Sequence, residues 1–594
     1  MIRTPLRPLA RILKARDKGE DTGAIEAENL RLRHEAGRDK SRMRAEGRLL
    51  VLGGMFVLAF GTIGMRMGAL AGTPAQEPQT ATAGNPIIGQ RADIVDRNGR
   101  ILATNLDTYS LYAQPQEMVD PARIASELAK MFPDLEEEAL LKSFSGKRKF
   151  AWVRRQLSPE QMQAVHDLGS PGLLFGPREM RLYPNGAIAG HILGGASYGR
   201  EGVSSAEVIG VAGVERKFDD YLRDPANEGE PLQLSIDLTV QAAAEEVLAG
   251  GMSLMNAKGA ASVLMDVYTG EIISMVSLPD FDPNNRPRVL LTGDQSDSPL
   301  FNRAVQGVYE LGSVFKIFAI AQGLELGLVT PDTIIDIRGP LKWGRFSLTD
   351  FSNYGAELST TDVIVKSSNI GTARIAMEIG SERQQDFLRS LGFMEATPVE
   401  LQEGPTGRPL LPEKWTELST MTISYGHGLS SSPLHLATGY ASLLNGGTRV
   451  EPTLLRRDTP QTGPRVVSEQ TSRQAREMLR QVVVRGTASF GEVEGYEVGG
   501  KTGTADKPKE NGGGYYDDKV IATFASVFPA NDPKYVLIVT FDEPSETSGD
   551  TPRRTAGWTA VPVAAEMIRR IGPLLGLRPQ VDRSEPIGVT LTSN

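Results

Sequence analysis

Ser313 and Lys316 lie three residues apart, in the stretch YELGSVFKIFAI that begins at Tyr309. Residues i and i+3 share one face of a helix, so this spacing predicts that the hydroxyl and the amine lie side by side. A serine hydroxyl is a weak nucleophile until a base accepts its proton, and a lysine can be that base when burial disfavours its ammonium form. The pair therefore predicts a nucleophile and a base with a lowered pKa. Alone, the pattern also fits an ordinary helix start with a solvated lysine.

Two further motifs follow in the chain. Ser367-Ser368-Asn369 comes directly after a predicted helix over residues 361–366, where a turn would present a hydroxyl and an amide. Lys501-Thr502-Gly503-Thr504 combines an ammonium with hydroxyls and with small residues that let backbone and substrate approach closely. If Lys501 lies near Lys316, repulsion between the two amines would lower the pKa of Lys316 further.

A nucleotide-binding interpretation of the same region is disfavoured. Residues 495–502 satisfy the phosphate-loop pattern G-x-x-x-x-G-K-[ST]. That loop works between a buried strand and a helix whose N-terminus faces the phosphates. The residues before it, FGEVE, do not resemble a buried strand, and the glycine-rich residues after it do not resemble a helix.

The composition excludes several kinds of chemistry. The 594 residues contain no cysteine, which rules out thiol catalysis, iron–sulfur clusters and Cys-type zinc sites. Five histidines and no H-E-x-x-H motif make a metalloenzyme improbable, so neither a metal nor a cofactor is expected. The net charge of −9 argues against nucleic acid as a partner.

The N-terminus predicts a membrane anchor. Residues 1–48 are rich in arginine and lysine, and residues 49–65 carry no charge and span about 26 Å at roughly 1.5 Å per residue. We predict a cytoplasmic tail over 1–48 and a transmembrane helix over 49–70, with the rest of the chain outside by the positive-inside rule. A cleaved signal peptide is the alternative, because Ala69-Leu70-Ala71 resembles a cleavage site.

The remaining organisation follows from composition and periodicity. Asn98-Gly99 between apolar runs predicts a hairpin, and residues 178–192 read as extended. After a charged boundary near residues 224–229, strands at both ends of a long region enclose helices, which predicts an α/β (α+β) domain with a mainly antiparallel sheet flanked by helices. The predicted segments are a linker over 71–85, an N-terminal module over 86–225, the main domain over 230–580 and a polar tail over 581–594.

Taken together, the three motifs resemble those of penicillin-binding proteins and β-lactamases. The chain is similar to the class B peptidoglycan transpeptidases of the division (FtsI) type, from the anchor to about Pro579, which implies the β-lactamase-like serine transpeptidase fold and an extended pedestal. Further matching segments are residues 91–103, 181–184, 213–215, 235–237, 269–272, 424–428 and 445–447. Ala92, Leu311 and Ser368 depart from common family residues, and none of these positions is assigned chemistry.

The resemblance implies a role for each motif residue. Ser313 would attack the carbonyl between the two terminal D-alanines of a stem peptide and form an acyl-enzyme, with Lys316 as the base. Ser367 would relay a proton to the leaving amine, and Asn369 would hold Lys316 and the substrate amide. The substrate carboxylate would meet the last motif, and backbone N–H groups at Ser313 and in that motif would bind the oxyanion. The residues of this carboxylate site are Lys501, Thr502, Gly503 and Thr504.

The fate of the acyl-enzyme separates transfer from hydrolysis. Class A β-lactamases use a glutamate-activated water, and no E-x-x-L-N pattern lies between Asn369 and Lys501. We therefore expect the acyl group to wait for the amine of a diamino acid on a neighbouring stem peptide, with carboxypeptidase action as a side activity. An elongation-specific transpeptidase and a catalytically silent division scaffold remain alternatives. A β-lactam sensor would need a larger cytoplasmic domain, and a bifunctional synthase would need a glycosyltransferase domain.

The resemblance also implies location and partners. The protein would be a single-pass inner-membrane protein with a periplasmic catalytic domain, inhibited covalently by β-lactams. The module over 86–225 would act as a pedestal that contacts an FtsW-type glycosyltransferase and other membrane proteins of the division machinery.

Overall fold

The structure is a computed structural model that describes residues 7–72, 91–145, 148–201, 206–509 and 513–580. The predicted linker beyond residue 72 and the predicted polar tail over 581–594 lie outside these ranges. The chain divides into two compact units, Met1–Ile87 and Ile88–Asn594.

The first unit consists, where described, of helix α1 (Arg7–Asp17) and helix α2 (Thr22–Gly72). Between them, Gly19 adopts a φ of 75°, a conformation that glycine reaches without a Cβ clash. The 51 residues of α2 extend for about 77 Å at roughly 1.5 Å per residue. Its segment Glu46–Met65 has a mean hydropathy of 1.8 and is long and apolar enough to cross a membrane. The predicted span over 49–70 lies within α2.

The N-terminal module, residues 91–230, is built around one long strand. In the described ranges this strand, β2, pairs with β1, β3 and β4, and β5 pairs with β6 as a separate hairpin. The strands are β1 (Ile94–Val95), β2 (Ile101–Ala113), β3 (Ala151–Leu157), β4 (Leu173–Leu182), β5 (Gly195–Glu201) and β6 (Ala206–Ala212). The helices are α3 (Pro121–Met131), α4 (Glu137–Phe144), α5 (Pro159–His166), α6 (Gly190–Leu193), α7 (Gly213–Lys217) and α8 (Asp219–Arg223).

Local signals predicted much of this module. The Asn98-Gly99 turn joins β1 to β2 as expected, and Ser158 caps α5 with a capping box. The prediction of an extended segment over residues 178–192 was wrong after Leu182. Turns follow this residue because Pro184, Asn185 and Gly186 favour them, and Gly186 adopts a φ of 61°. The segment then ends in the short helix α6.

A buried ion network joins the separate parts of the module. The Glu215 carboxylate is fully buried and accepts hydrogen bonds from the Nε atoms of Arg91 and Arg181, each at 2.7 Å. Arg91 also donates to Asp219 at 2.7 Å, and the Tyr183 hydroxyl donates to Glu215 at 3.3 Å. Each buried charge therefore has an oppositely charged partner, which offsets its desolvation.

The described strands of the C-terminal domain, residues 231–580, are β7 (Leu232–Gln233), β8 (Gly259–Asp266), β9 (Ile272–Leu278), β10 (Ile334–Asp336), β11 (Leu341–Trp343), β12 (Phe346–Leu348), β13 (Glu357–Ser359), β14 (Gly499–Pro508), β15 (Tyr515–Phe528) and β16 (Tyr535–Asp542). Five of them form an antiparallel sheet in the order β14-β15-β16-β8-β9. Strand β7 pairs in parallel with β1, which connects the domain to the N-terminal module.

Helices surround this sheet, and two of the three sequence motifs lie where helices begin. They are α9 (Leu238–Leu254), α10 (Lys316–Glu325), α11 (Thr360–Lys366), α12 (Asn369–Ile379), α13 (Ser381–Ser390), α14 (Glu417–Ser424), α15 (Pro433–Leu444), α16 (Glu469–Arg485) and α17 (Ala560–Leu574). The central strands are buried on both faces, as in β16, whose residues after Tyr535 are all buried, because helices cover the sheet. The predicted α/β class with an antiparallel sheet flanked by helices is confirmed.

Candidate active site

The predicted nucleophile lies on a tight turn rather than within an α-helix. Residues Gly312–Phe315 form a 3₁₀ turn, and α10 begins at Lys316. Residues i and i+3 eclipse in a 3₁₀ turn, so Ser313 and Lys316 still share a face. The Gly312 N–H donates to the Gly426 carbonyl at 3.2 Å, and the Tyr440 hydroxyl donates to the Val314 carbonyl at 2.8 Å. Contacts on both sides of Ser313 therefore hold the turn, while the serine itself stays partly exposed.

Lys316 is completely buried and its amine faces Ser367. Its Nζ donates to the Ser367 carbonyl at 2.5 Å and lies 3.0 Å from the Ser367 hydroxyl. Burial lowers the pKa of Lys316 well below its usual value, and the charge of Lys501 lowers it further, while Asp350 opposes the change. The predicted direction of this pKa is confirmed, so the amine is suited to accept a proton.

Ser367 occupies the bend between α11 and α12. Its φ of 62° and ψ of 42° place a non-glycine residue in the left-handed region, which costs about 1–3 kcal/mol and persists only where surrounding contacts enforce it. The hydroxyl lies 3.0 Å from Lys316 Nζ and 3.0 Å from Lys501 Nζ. Because one hydroxyl has two lone pairs and one proton, it can accept from one amine and donate to the other when that amine is neutral. This geometry permits proton transfer along the row of three groups.

Asn369 departs from the role implied by the family resemblance. Its side-chain amide donates to the Thr349 carbonyl at 3.2 Å, so it faces the loop before α11 rather than Lys316. The Ser367 carbonyl and hydroxyl are the acceptors that hold the lysine instead. The reason is local: Asn369 is the first residue of α12, and its own backbone N–H is held by Asp350 at 2.6 Å.

The third motif forms part of strand β14, which is an edge strand of the sheet. Lys501 is completely buried, and its Nζ also donates to the Thr502 carbonyl at 3.0 Å. Burial lowers the pKa of Lys501 to about 7. The Thr502 hydroxyl is 2.7 Å from that of Thr487, and the Thr504 hydroxyl accepts the Ala556 N–H at 3.0 Å. A strand at this position excludes the phosphate-loop geometry, which needs a loop followed by a helix.

The backbone of β14 lies directly against the Ser313 turn. A Cβ atom on Gly312 would lie 2.9 Å from the Thr504 carbonyl oxygen and 3.3 Å from its nitrogen. A Cβ atom on Gly503 would lie only 2.2 Å from the Leu311 carbonyl oxygen. Only glycine permits this approach, which brings the Thr504 backbone next to Ser313, where two N–H groups could bind an oxyanion.

Sequence reasoning missed two acidic residues that organise the site. Asp350 holds the start of α12, and Glu310 precedes the serine turn and is nearly buried. The Glu310 carboxylate accepts from the Gly428 N–H at 2.7 Å and the Tyr515 hydroxyl at 3.0 Å, and it lies 3.2 Å from His427 Nδ1. Burial acts to raise the pKa of Glu310, but these hydrogen bonds outweigh it and lower the pKa. No spacing rule links these partners, because they come from distant segments.

The described ranges contain no group of three or more His, Asp or Glu side chains arranged to hold a metal ion. The site itself offers a hydroxyl nucleophile, two buried amines, a relaying hydroxyl and backbone donors. That set matches acyl transfer through a serine.

Comparisons with known proteins give the same assignment. Residues 260–567 match the family described as the penicillin binding protein transpeptidase domain, and residues 86–228 match the penicillin-binding protein dimerisation domain. A probable peptidoglycan D,D-transpeptidase FtsI of Caulobacter vibrioides is 36% identical over 92% of each chain. The peptidoglycan D,D-transpeptidase FtsI of Escherichia coli is 28% identical over 76% of this chain and 79% of its own.

A solved structure supports the fold. Penicillin binding protein 3 of Mycobacterium tuberculosis, complexed with aztreonam, superposes with a TM-score of 0.61 at 25% identity and covers 83% of this chain and 98% of its own. The two matched ranges correspond to the N-terminal module and the C-terminal domain of the structure. The chain therefore belongs to the class B penicillin-binding proteins, the family of transpeptidases that includes the FtsI-type enzymes.

Proposed function

We propose that this membrane-anchored protein is a peptidoglycan D,D-transpeptidase of the FtsI type, which cross-links stem peptides through an acyl-enzyme at Ser313 and is acylated by β-lactams. The observation that carries this proposal is the row Lys316–Ser367–Lys501, in which one hydroxyl lies 3.0 Å from each of two buried amines beside the serine turn. A purely structural site has no need for two buried amines with lowered pKa values, because burying them destabilises the fold.

Acylation follows from the roles of these groups. The Ser313 oxygen attacks the carbonyl between the terminal D-alanines, and Lys316 takes the serine proton. As the C–N bond breaks, that proton passes through the Ser367 hydroxyl to the leaving amine, and D-alanine departs. Backbone N–H groups of Ser313 and Thr504 stabilise the oxyanion, where losing one donor costs about 3–4 kcal/mol in comparable enzymes.

The substrate carboxylate binds at the third motif. Lys501 supplies positive charge, and the hydroxyls of Thr502 and Thr504 on the same strand can donate to the carboxylate. Gly503 lets the strand lie close against the Ser313 turn. Asn369 lies at the outer side of the same bend, where its amide can turn from Thr349 to a substrate amide.

Deacylation transfers the peptide to an amine. The amino group of a diamino acid on a neighbouring stem peptide attacks the ester carbonyl, its proton passes to Lys316, and Ser313 regains its hydrogen as the amide forms. Water in place of the amine would give the carboxypeptidase side reaction. The lack of an E-x-x-L-N glutamate in the sequence supports slow hydrolysis.

The FtsI relatives support a role at the division septum rather than in elongation. The basic residues before α2's apolar segment support an N-terminus in the cytoplasm and a catalytic domain in the periplasm, anchored in the inner membrane. We further propose that the pedestal over 86–225 contacts an FtsW-type glycosyltransferase. Failure of the two proteins to co-purify from detergent-solubilised membranes would count against that contact.

The central assignment is tested by labelling membranes with fluorescent penicillin. Wild-type protein is expected to acquire a stable label, and Ser313→Ala is expected to lose it completely because no other hydroxyl occupies the turn. Ser347→Ala, which changes an exposed serine on β12, is the matched control and should label like the wild type. Undiminished labelling of Ser313→Ala would refute the assignment.

A further inference from the structure

Asp350 is the acidic side chain that organises the bend carrying Ser367. Its carboxylate accepts the Ser368 hydroxyl at 2.7 Å, the Asn369 N–H at 2.6 Å and the Ile370 N–H at 3.0 Å. The Ser368 hydroxyl in turn accepts the Gly371 N–H at 3.0 Å. The first N–H groups of α12, which have no partners within the helix, are therefore satisfied by this pair.

These contacts fix the residues directly after Ser367. The peptide between Ser367 and Ser368 leads from the left-handed bend into α12, and Asp350 holds the next two N–H groups and the Ser368 side chain. A left-handed serine persists only when its neighbours leave it no alternative. The end of α11 accepts the Ser367 and Ser368 N–H groups from one side, and Asp350 holds the following residues from the other. Asp350 therefore contributes to the backbone conformation that aims the Ser367 carbonyl and hydroxyl at Lys316.

The charge of Asp350 also matters, because the rest of the site is cationic. The ionisable groups that act on Lys316 are Lys501, from β14, and Asp350, from the loop after β12. Lys501 disfavours the ammonium form of Lys316, and Asp350 favours it. Asp350 lies at the N-terminus of α12, where the helix dipole favours a negative charge.

We propose that Asp350 is a positioning residue for acyl transfer: its carboxylate holds Ser367 between Lys316 and Lys501, and its negative charge balances the two amines. The inference deepens the proposed function and rests on it, since it concerns the same proton-transfer row. It assigns a role to a residue outside the three motifs. Without Asp350, the bend would relax, and burial and the charge of Lys501, which both disfavour the ammonium form of Lys316, would act unopposed.

The test measures the rate of acylation by fluorescent penicillin as a function of pH. Variants Asp350→Asn, Asp350→Glu and Asp350→Ala are compared with the wild type, and melting temperatures verify that each is folded. Asp336→Asn is the matched control, because Asp336 is an acidic residue of the same region whose partners are Arg338 and Arg374. It should leave the profile unchanged.

The sign of the expected shift follows from the charge. Removing the carboxylate takes away the group that favours the ammonium form, so the pKa of Lys316 falls and the acid limb of the profile moves to lower pH, by about one unit in Asp350→Asn. Asp350→Glu keeps the charge and should keep the position of the limb. Asp350→Ala should shift the limb and also lower the rate about ten-fold or more at every pH, because the cap is lost.

Two results would overturn the proposal. The first is a pH profile of acylation for Asp350→Asn that superposes on that of the wild type. The second is an acylation rate that falls equally at every pH without a shift of the acid limb, which is the result expected if Asp350 were only a helix cap. Failure of the proposed function is distinguishable, because in that case the wild-type protein itself would not be acylated.

Discussion

Gly503→Ala should slow acylation strongly while leaving the protein folded, because it disturbs the contact between the backbone of β14 and the backbone of the Ser313 turn. Gly503 does not lie in the left-handed region, so alanine can adopt its conformation without backbone strain. The added Cβ would lie 2.2 Å from the Leu311 carbonyl oxygen and about 3.0 Å from a methyl of Val314. Ordinary contact requires about 3.4 Å, so β14 and the serine turn must separate by roughly 1 Å.

This separation decides the size of the effect. Overpacking of this kind destabilises a fold by about 1–3 kcal/mol, which the large core of the domain can tolerate. A displacement of about 1 Å in a catalytic arrangement can cost about 100-fold in rate, and loss of one oxyanion donor costs about 100- to 1000-fold. We expect a melting temperature only a few degrees below the wild type and a second-order acylation rate at least about 100-fold lower.

The assay measures that rate by stopped-flow or gel fluorescence with a labelled penicillin, alongside thermal unfolding. Gly499→Ala is the matched control on the same strand, since its Cβ would lie 3.2 Å from both the Ala530 Cβ and the Arg480 nitrogen. It should acylate at nearly the wild-type rate. A folded Gly503→Ala protein that acylates as fast as the wild type would refute the claim that this close approach places the oxyanion donors.

Two further variants test the energetics of the buried charges. Lys501→Met should abolish acylation yet raise the free energy of unfolding at pH 7 by up to about 4 kcal/mol, because burial lowers the folded pKa of Lys501 from 10.5 to about 7. Between about pH 7 and pH 10.5 the unfolded chain keeps the Lys501 proton that the folded chain has lost, so the destabilisation caused by Lys501 is full below about pH 7 and vanishes towards pH 10.5. Thermal melts of the variant and the wild type at pH 7 and at pH 10.5 check this prediction. An equal difference in stability between the two proteins at both pH values would contradict it. Glu215→Ala removes the buried carboxylate that Arg91 and Arg181 share, leaves Arg91 with Asp219, and should destabilise the protein by about 3–5 kcal/mol without slowing acylation of the folded fraction. Glu215→Gln, which keeps an acceptor, should be intermediate, and unchanged melting of Glu215→Ala in a calorimeter would disprove the stabilising role of the network.

Features set by neighbouring residues could be predicted from the sequence. The hairpin at Asn98-Gly99, the capped helix α5 and the strands around the sheet follow from turn chemistry, capping and β-branched content, all of which act over a few residues. The grouping of the three motifs was also predictable, but through family resemblance rather than through periodicity.

Features set by tertiary contacts could not be predicted in this way. Three glycines give residues 499–503 little intrinsic preference for a strand, yet they form the start of β14 because it must lie against the serine turn. Ser367 takes the left-handed position at the end of α11, which helices usually give to glycine, and no sequence pattern predicts a serine there. Asp350, 17 residues away in the chain, holds the residues that follow it, and no pattern connects the two. The turn of Asn369 towards Thr349 depends on the same contact.

The position of the third motif on an edge strand explains how this site can admit a peptide. An edge strand leaves alternate backbone N–H and C=O groups unpaired, and such groups recruit an extended chain unless something covers them. In this domain the Ser313 turn packs against β14 at Gly503 and Thr504, so a peptide added to this edge would lie beside that turn. A stem peptide that binds as a short additional strand would then place its scissile carbonyl next to Ser313 and its terminal carboxylate towards Lys501. Backbone pairing with β14 would fix the register of the stem peptide, and the two buried amines would fix the position of its terminal carboxylate. This division of roles explains why a rigid sheet edge carries the binding motif while a tight turn carries the nucleophile.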